Sequence, residues 1–118
     1  MSLCIAVAGK VVVLAVSSFT LSWTHSVEKT EWTEGWAVTP AGLVVTEARI
    51  EGSGAGMEPP DGAVFDGSGW TWRPPPLPQE RVALADSGAS APWTLCAGTE
   101  CMTLGEGSGQ PIVLSACP

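Results

Sequence analysis

Basic residues are scarce in this sequence. Five lysines and arginines stand against 12 aspartates and glutamates, and the formal net charge at pH 7 is −7. The basic residues are scattered along the chain; they are Lys10, Lys29, Arg49, Arg73 and Arg81. A chain with this charge repels phosphate backbones and anionic lipid headgroups. We therefore expect no nucleic acid partner.

A long hydrophobic run is also lacking. The apolar stretch from Leu3 to Val16 is too short to span a bilayer, Lys10 interrupts it, and no positively charged segment precedes it. We expect this stretch to belong to the folded protein, and we expect no membrane insertion by this chain. We also expect that an export signal or membrane anchor has been removed ahead of Met1-Ser2.

Long helices are excluded by ten prolines and fourteen glycines among 118 residues. Strand patterns are present instead. The segment "LCIAVAGKVVVLAV" contains two β-branched runs and predicts a hairpin with Gly9 in the turn. The segment "FTLSWTH" alternates strictly, and the residues on its first face are Phe19, Leu21, Trp23 and His25.

A second long strand is predicted over "GLVVTEARIEG". Its two faces are Val44, Thr46, Ala48 and Ile50 on one side and Val45, Glu47, Arg49 and Glu51 on the other. Shorter candidates follow at "GWTWR", "RVALA", "WTLC", "CMTL" and "PIVLS". Many short strands at this spacing predict one all-β domain over residues 1–118. It is either a β-sandwich or a small, partly open β-barrel, with long Gly/Pro-rich loops.

The proline run "RPPPLP" has two interpretations. Its polyproline II geometry would allow it to dock in an aromatic groove of a partner protein. A proline run between two strands is more often a stiff connector that also ends the preceding strand, here "GWTWR". We favour the connector.

Four cysteines in a small chain rich in Gly and Pro favour an oxidising compartment. Cys96 and Cys101 bracket "AGTE", whose turn-forming residues bring two short strands together, so we predict a local disulfide between them. Cys4 and Cys117 lie near opposite chain ends, and we predict a second disulfide because the termini of single domains often lie close together. Two alternatives stay open: a free thiol, above all at Cys4, and structural zinc at Cys96 and Cys101, although a second close pair of ligands is missing.

The glycine-rich stretch "EGSGAGMEPP" is a candidate for ligand binding. Its glycines can take positive φ and turn backbone N–H groups toward an oxyanion; they are Gly52, Gly54 and Gly56. A P-loop or a dinucleotide-binding turn requires a helix after the glycines, whereas "EPP" follows here, so we predict neither a nucleotide nor another cofactor. Ser53 and Glu58 would be the polar groups of this loop. A tight bend at a sheet corner is the structural alternative.

The stretch "THSVEKTEW" holds the chain's only histidine. Adjacent strand residues point to opposite faces, so Ser26 cannot easily act as a nucleophile activated by His25. A carboxylate from Glu28 or Glu58 would orient His25 and favour its cationic form, which attracts an anionic ligand. One histidine with two carboxylates suits only a weakly bound divalent ion, and we predict no metal site. The structural alternative is a buried polar network in which His25 satisfies backbone groups at a strand end.

Together, "FTLSWTHSVEKTEW" and "TEARIEGSGAGMEPP" resemble the signature segments of the bacterial family known as domain of unknown function 1850. Its members are small proteins found near tripartite TRAP-type transporters of the TAXI class. The resemblance extends from about Leu3 through "WTLC" and Cys101 to "PIVLSAC". It implies an exported or membrane-tethered accessory domain, periplasmic or otherwise extracytoplasmic, that is linked to the uptake of organic acids and has no established activity. The positions that match the family's motifs are His25, Ser26, Glu28, Trp32, Gly52, Ser53, Gly54, Gly56, Met57, Glu58 and Pro59. All of them except Pro59 are our candidate ligand-binding residues.

Two classes of function stay open. The one we favour is a noncatalytic module whose "HSVEK" and "GSGAGMEP" loops, brought together at one end of the fold by the two long strands, contact a small organic acid or a transporter component. The other is an enzyme in which His25 and either Glu28 or Glu58 form an acid-base pair, although the sequence has no clear nucleophile. An enzyme requires a concave pocket around His25, whereas an interface requires an exposed patch that includes Trp32 or Trp36.

Overall fold

The computed structural model describes residues 1–24, 30–52, 59–86, 92–105 and 109–118. Its strands are β1 (Ser2–Val7), β2 (Lys10–Leu14), β3 (Ser18–Thr24), β4 (Glu31–Thr39), β5 (Gly42–Glu51), β6 (Val64–Phe65), β7 (Gly69–Trp72), β8 (Arg81–Leu84), β9 (Trp93–Ala97), β10 (Glu100–Leu104) and β11 (Ile112–Cys117). These residues contain no helix, and therefore none that is long and apolar enough to cross a membrane. The all-β prediction is confirmed.

The strands form two antiparallel sheets. The small sheet has the order β2-β1-β11-β8, and the large sheet has the order β10-β9-β3-β4-β5-β7-β6. The sheets pack against each other and do not close into a barrel, so the sandwich is the correct alternative of the two predicted. The chain crosses from one sheet toward the other at Gln79, whose backbone N–H and C=O exchange hydrogen bonds of 2.8 Å with those of Leu43.

The core lies between the small sheet and one half of the large sheet. The small sheet contributes Leu3, Ile5, Leu84, Ile112 and Leu114, and the large sheet contributes Phe19, Leu21, Trp36, Val38, Leu43, Leu95 and Leu104. Each of these side chains is at least nine-tenths buried. Removing apolar surface from water in this way is the main driving force that holds the two sheets together.

The first hairpin has its turn where the sequence predicts it. Val7 pairs with Lys10, so Ala8 and Gly9 form a two-residue loop between β1 and β2. Both loop residues have positive φ, at 47° and 82°, as a type I′ turn requires. Gly9 adopts this conformation without steric cost, whereas Ala8 does not.

A β-bulge interrupts the pairing of β5 with β4. Gly35 pairs with Glu47 and the next residue, Trp36, pairs with Val45, so Thr46 is an extra residue on β5. An extra residue shifts the alternation of side chains by one position. The predicted faces of this strand are therefore wrong on one side of the bulge: the core-facing residues of β5 are Leu43, Val45, Ala48 and Ile50.

Strand β4 is the central strand of the large sheet, yet the alternation in the sequence does not reveal it. Every second residue faces the core side of the sheet, and these residues are Trp32, Glu34, Trp36 and Val38. The charge of Glu34 breaks this apolar set, and Gly35 weakens the strand signal further. Glutamate and glycine are depleted in strands, which explains why the sequence analysis does not predict β4.

Both predicted disulfides are present. Cys4 is bonded to Cys117 and Cys96 to Cys101, and the described part of the chain has no free cysteine. The zinc alternative is therefore wrong for Cys96 and Cys101, whose sulfurs are bonded to each other across the β9–β10 pair. The free-thiol alternative for Cys4 is wrong for the same reason.

The proline run serves as a connector. Residues 73–78 have no regular secondary structure and join β7 of the large sheet to β8 of the small sheet. Proline cannot donate a ladder hydrogen bond, so β7 ends at Trp72, directly before this run.

Candidate functional site

The residues that flank the two candidate loops lie next to each other at one end of the large sheet. Thr24, the last residue of β3, pairs with Glu31 of β4. Thr30 follows the first loop and Gly52 precedes the second; a Cβ added to Gly52 would lie 3.6 Å from Cγ2 of Thr30. The structure thus joins both loops to neighbouring points of the sheet. The two strands that the sequence predicts, β3 and β5, both contribute to this end, but β4, which the sequence does not predict, lies between them.

Most candidate ligand-binding residues are in the loops themselves. His25, Ser26 and Glu28 belong to segment 25–29, and Ser53, Gly54, Gly56, Met57 and Glu58 belong to segment 53–58; both segments lie outside the described residues. Their roles remain predictions. Of the ten candidates, the structure describes Trp32 and Gly52.

Gly52 is held by a loop that the sequence analysis did not consider. Its backbone φ is +91°, and its N–H donates a 2.7 Å hydrogen bond to the carbonyl oxygen of Ser68. A positive φ of this size favours glycine over any residue with a side chain. The hydrogen bond to Ser68, in the turn that precedes β7, therefore fixes the position of the backbone where the glycine-rich loop begins.

An ion pair fixes this turn to β5. Arg49 donates to Asp66 Oδ2 at 2.7 Å and to Ser68 Oγ at 2.8 Å. The other oxygen of Asp66 accepts hydrogen bonds from the backbone N–H of Ser68 and of Gly69, both at 2.9 Å, and from the Ser68 hydroxyl at 3.0 Å. These donors hold the pKa of Asp66 far below its usual value, with the Ser68 N–H as the largest cause and Arg49 next.

Aromatic side chains cross the core-facing side of the large sheet at the same end. We use the term tryptophan row for Trp93, Trp23, Trp32 and Trp70, which lie on β9, β3, β4 and β7. The ring of Trp23 contacts Trp93 and Trp32, with centroid separations of 5.0 Å and 5.9 Å. Ile50 of β5 pairs with both Trp32 and Trp70, and so completes the line across the sheet. All four tryptophans are partly exposed.

Trp36 does not belong to an exposed patch. It is 4% exposed, and its ring lies parallel to that of Phe19 at a centroid separation of 6.1 Å. A binding interface was expected to include an exposed Trp32 or Trp36. Trp36 is buried, and Trp32 is partly exposed. The row itself is visible in the sequence only as four tryptophans on separate strands, and the sheet order brings them together.

Glu34 lies directly beside the tryptophan row on the same face of the sheet. It pairs with Leu21 of β3 and with Ala48 of β5, and it stands between Trp32 and Trp36 along β4. Partial burial desolvates the carboxylate and raises the pKa of Glu34. The indole N–H of Trp36 counteracts this rise in part, although the two groups do not reach normal hydrogen-bond geometry.

A separate cleft of about 620 Å³ opens beside β7 and the proline connector. Its polar and aromatic lining includes Glu47, Asp61, Thr71, Trp72 and Arg73. The cleft adjoins the second candidate loop in sequence, since Pro60, Asp61 and Gly62 of its lining follow segment 53–58 closely. The residues that line it do not indicate a particular ligand. Across the described ranges, no group of three or more His, Cys, Asp or Glu side chains is placed to hold a metal ion.

The described residues define an antiparallel β-sandwich with a row of partly exposed tryptophans, in which the residues that flank both candidate loops lie at one end of the larger sheet. The family model described as domain of unknown function (DUF1850) matches residues 19–104, so the chain belongs to this family. The match includes both candidate loops and the strands β3 to β10. It does not include the first hairpin or β11, to which the resemblance in the sequence extends. No curated protein and no solved structure matches the chain.

Proposed function

We propose that this protein is a noncatalytic binding or interaction module of an extracytoplasmic compartment, and that it uses the loop end of the large sheet. The observation that carries the proposal is the position of the loop anchors Thr30 and Gly52, which are adjacent and lie beside the tryptophan row. Partly exposed tryptophans are enriched where proteins bind partners and ligands, because a large apolar ring with one polar N–H gains much from contact.

The compartment follows from the cysteines. Two disulfides fit an extracytoplasmic domain, because reducing systems of the cytoplasm keep such thiols free. Within this class of location we propose the periplasm, with tethering to the membrane through a part of the natural protein outside this sequence. This step rests on the resemblance of the two loop motifs to a bacterial family of exported accessory proteins.

The proposed ligand is a small organic acid, or a component of a TAXI-class TRAP transporter that handles such acids. Backbone N–H groups of a glycine-rich loop and a cationic His25 are suitable partners for a carboxylate. The enzyme alternative depends on His25 with Glu28 or Glu58 as an acid-base pair, for which the sequence has no clear nucleophile.

A thermal-shift screen of mono- and dicarboxylates tests the proposal. We expect at least one acid to raise the melting temperature of the protein, since a ligand that binds only the folded state stabilises it. His25→Ala should abolish this increase while leaving the fold intact. Thr20→Ala, at an exposed position of β3, is the matched control and should retain it.

Two results would contradict the proposal. Equal stabilisation of wild type and His25→Ala by every effective acid would place the ligand elsewhere. A large loss of stability in His25→Ala without ligand would instead support the buried polar network.

A further inference from the structure

Strand β2 forms a free, apolar edge of the small sheet. It stands at the end of the order β2-β1-β11-β8, and no described strand pairs with its other side. Its three consecutive valines, Val11, Val12 and Val13, are 64%, 44% and 58% exposed. Such an edge favours pairing with a further strand, because it combines β-branched side chains with a row of backbone N–H and C=O groups that face outward.

The tight turn of the first hairpin determines which backbone groups of β2 point outward. Val7 and Lys10 flank the two-residue loop, so they form a hydrogen-bonded pair. Such pairs alternate along an antiparallel ladder, and Val12 therefore also directs its N–H and C=O groups toward β1. The N–H and C=O groups of Val11 and Val13 consequently point toward the free edge.

The edge formed by β2 lacks the features that usually prevent pairing. Proteins protect sheet edges with very short strands, charged residues, prolines or bulges. At other edges of the two sheets, β6 has only two residues and β8 begins with Arg81. In β2 the one charged residue is Lys10 at the start, and neither a proline nor a bulge interrupts residues 11–14.

The charge distribution also permits two copies of the chain to meet at this edge. None of the 12 aspartates and glutamates lies on the four strands of the small sheet, whose charged residues are Lys10 and Arg81. The acidic residues behind the net charge of −7 therefore belong to other parts of the chain. Two small sheets that join edge to edge bring no acidic strand residues together.

We propose that a second copy of this chain pairs with β2, so that the four strands of each small sheet join into one continuous sheet. In antiparallel pairing about a two-fold axis through Val12, the outward groups of Val11 meet those of Val13 in the second copy. Val12 then lies opposite its own counterpart, and Lys10 lies opposite Leu14. The strand thus meets the requirement that a two-fold interface be self-complementary, with β-branched pairs at its centre and no like charges opposed.

The interface is small, so the dimer should be reversible. A strand of five residues spans about 17 Å at about 3.4 Å per residue. Its pairing alone should bury less than the roughly 1,200 Å² that stable complexes bury. We therefore expect a dissociation constant in the micromolar to millimolar range. Both candidate loops adjoin strands of the large sheet, so the dimer does not depend on the proposed function.

A charge-swap experiment tests both the dimer and its register. The mass of the full chain is measured by analytical ultracentrifugation over micromolar to millimolar concentrations, and we expect it to rise from one chain to two. Val12→Lys and Val12→Glu should each stay monomeric, because like charges then lie directly opposite each other on the axis. An equimolar mixture of the two variants should dimerise again through an opposite-charge pair.

Matched controls change an exposed valine at an edge strand of the other sheet. Val64→Lys and Val64→Glu, on β6, should each dimerise as the wild type does. Circular dichroism checks that every variant is folded. If a Val12 variant does not fold, the double variants Val11→Lys/Val13→Lys and Val11→Glu/Val13→Glu repeat the comparison at more exposed positions, where the register also places like charges opposite each other.

Four results would overturn the proposal. A folded wild type with the mass of one chain at every concentration would exclude the dimer. Dimers that persist in the like-charge variants would place the contact on another surface, and a mixture that stays monomeric would reject the two-fold register. Cosedimentation of a monomeric wild type with phosphatidylcholine–phosphatidylglycerol vesicles, if Val12→Glu abolishes it, would identify a lipid surface as the partner of this edge instead.

Discussion

Glu34 and Leu21 lie directly opposite each other in the antiparallel pair of β4 and β3, so a carboxylate shares one face of the sheet with a leucine that is only 1% exposed. The carboxylate of Glu34 therefore loses part of its hydration next to the apolar core. The cost of desolvating the carboxylate should appear in the pH dependence of stability.

The first prediction concerns Glu34→Gln. Burial raises the pKa of Glu34 above its ordinary value of 4.5, so the folded protein binds the proton more tightly than the unfolded chain. The contribution to stability is present below about pH 4.5 and is lost as the pH rises through the folded-state pKa. Glu34→Gln should therefore be more stable than wild type near pH 7 and should lose this advantage at acidic pH. Urea denaturation at both pH values measures the difference, and a Glu31→Gln variant should show no such gain.

A second prediction concerns Asp66→Asn. Hydrogen bonds and Arg49 lower the pKa of Asp66 in the folded state, so its contribution to stability is present above its ordinary pKa of 3.8. That contribution is lost as the pH falls from there toward the folded-state pKa. Asp66→Asn should destabilise the protein at neutral pH, and the difference from wild type should shrink on acidification. An Asp61→Asn variant, at an exposed position, serves as the control. A constant difference at every pH would contradict the assignment.

The two disulfides should differ in their effect on stability. Cys4–Cys117 joins residues 113 apart and Cys96–Cys101 joins residues 5 apart. In the chain-entropy description, removing the first should cost about 5 kcal/mol and removing the second about 2 kcal/mol. Paired Cys→Ala variants, compared by chemical denaturation under nonreducing conditions, measure both values. A larger loss for the Cys96–Cys101 pair would show that local packing outweighs chain entropy here.

The turn of the first hairpin offers a stabilising substitution. Ala8 has a φ of 47° in a two-residue loop with Gly9, a conformation that Asn tolerates better than Ala. Ala8→Asn should stabilise the protein by about 0.5–1 kcal/mol, which thermal denaturation can detect. Gly9→Ala, at a φ of 82°, should act in the opposite direction. No gain from Ala8→Asn would mean that this hairpin contributes little to overall stability.

Much of the local structure could be predicted from the sequence. Alternation indicated β3 and part of β5, turn-forming residues indicated the Ala8-Gly9 hairpin and the Cys96–Cys101 bridge, and the proline run indicated where β7 ends. Each of these features depends on interactions between residues close together in the chain, or on steric limits of single residues. The family resemblance was also contained in local motifs.

Other features depended on the tertiary structure. The bulge at Thr46 reverses the face of β5, and only pairing with β4 reveals it. Strand β4 is itself hidden in the sequence because Glu34 interrupts its apolar set. The sheet order aligns tryptophans from four strands in one row and places Asp66 against Arg49, 17 residues away. Composition and alternation determined the all-β class and most of the segments that become strands, although not β4. The register between distant strands decided which side chains meet, because nonlocal hydrogen bonding and burial are settled only when the whole sandwich packs.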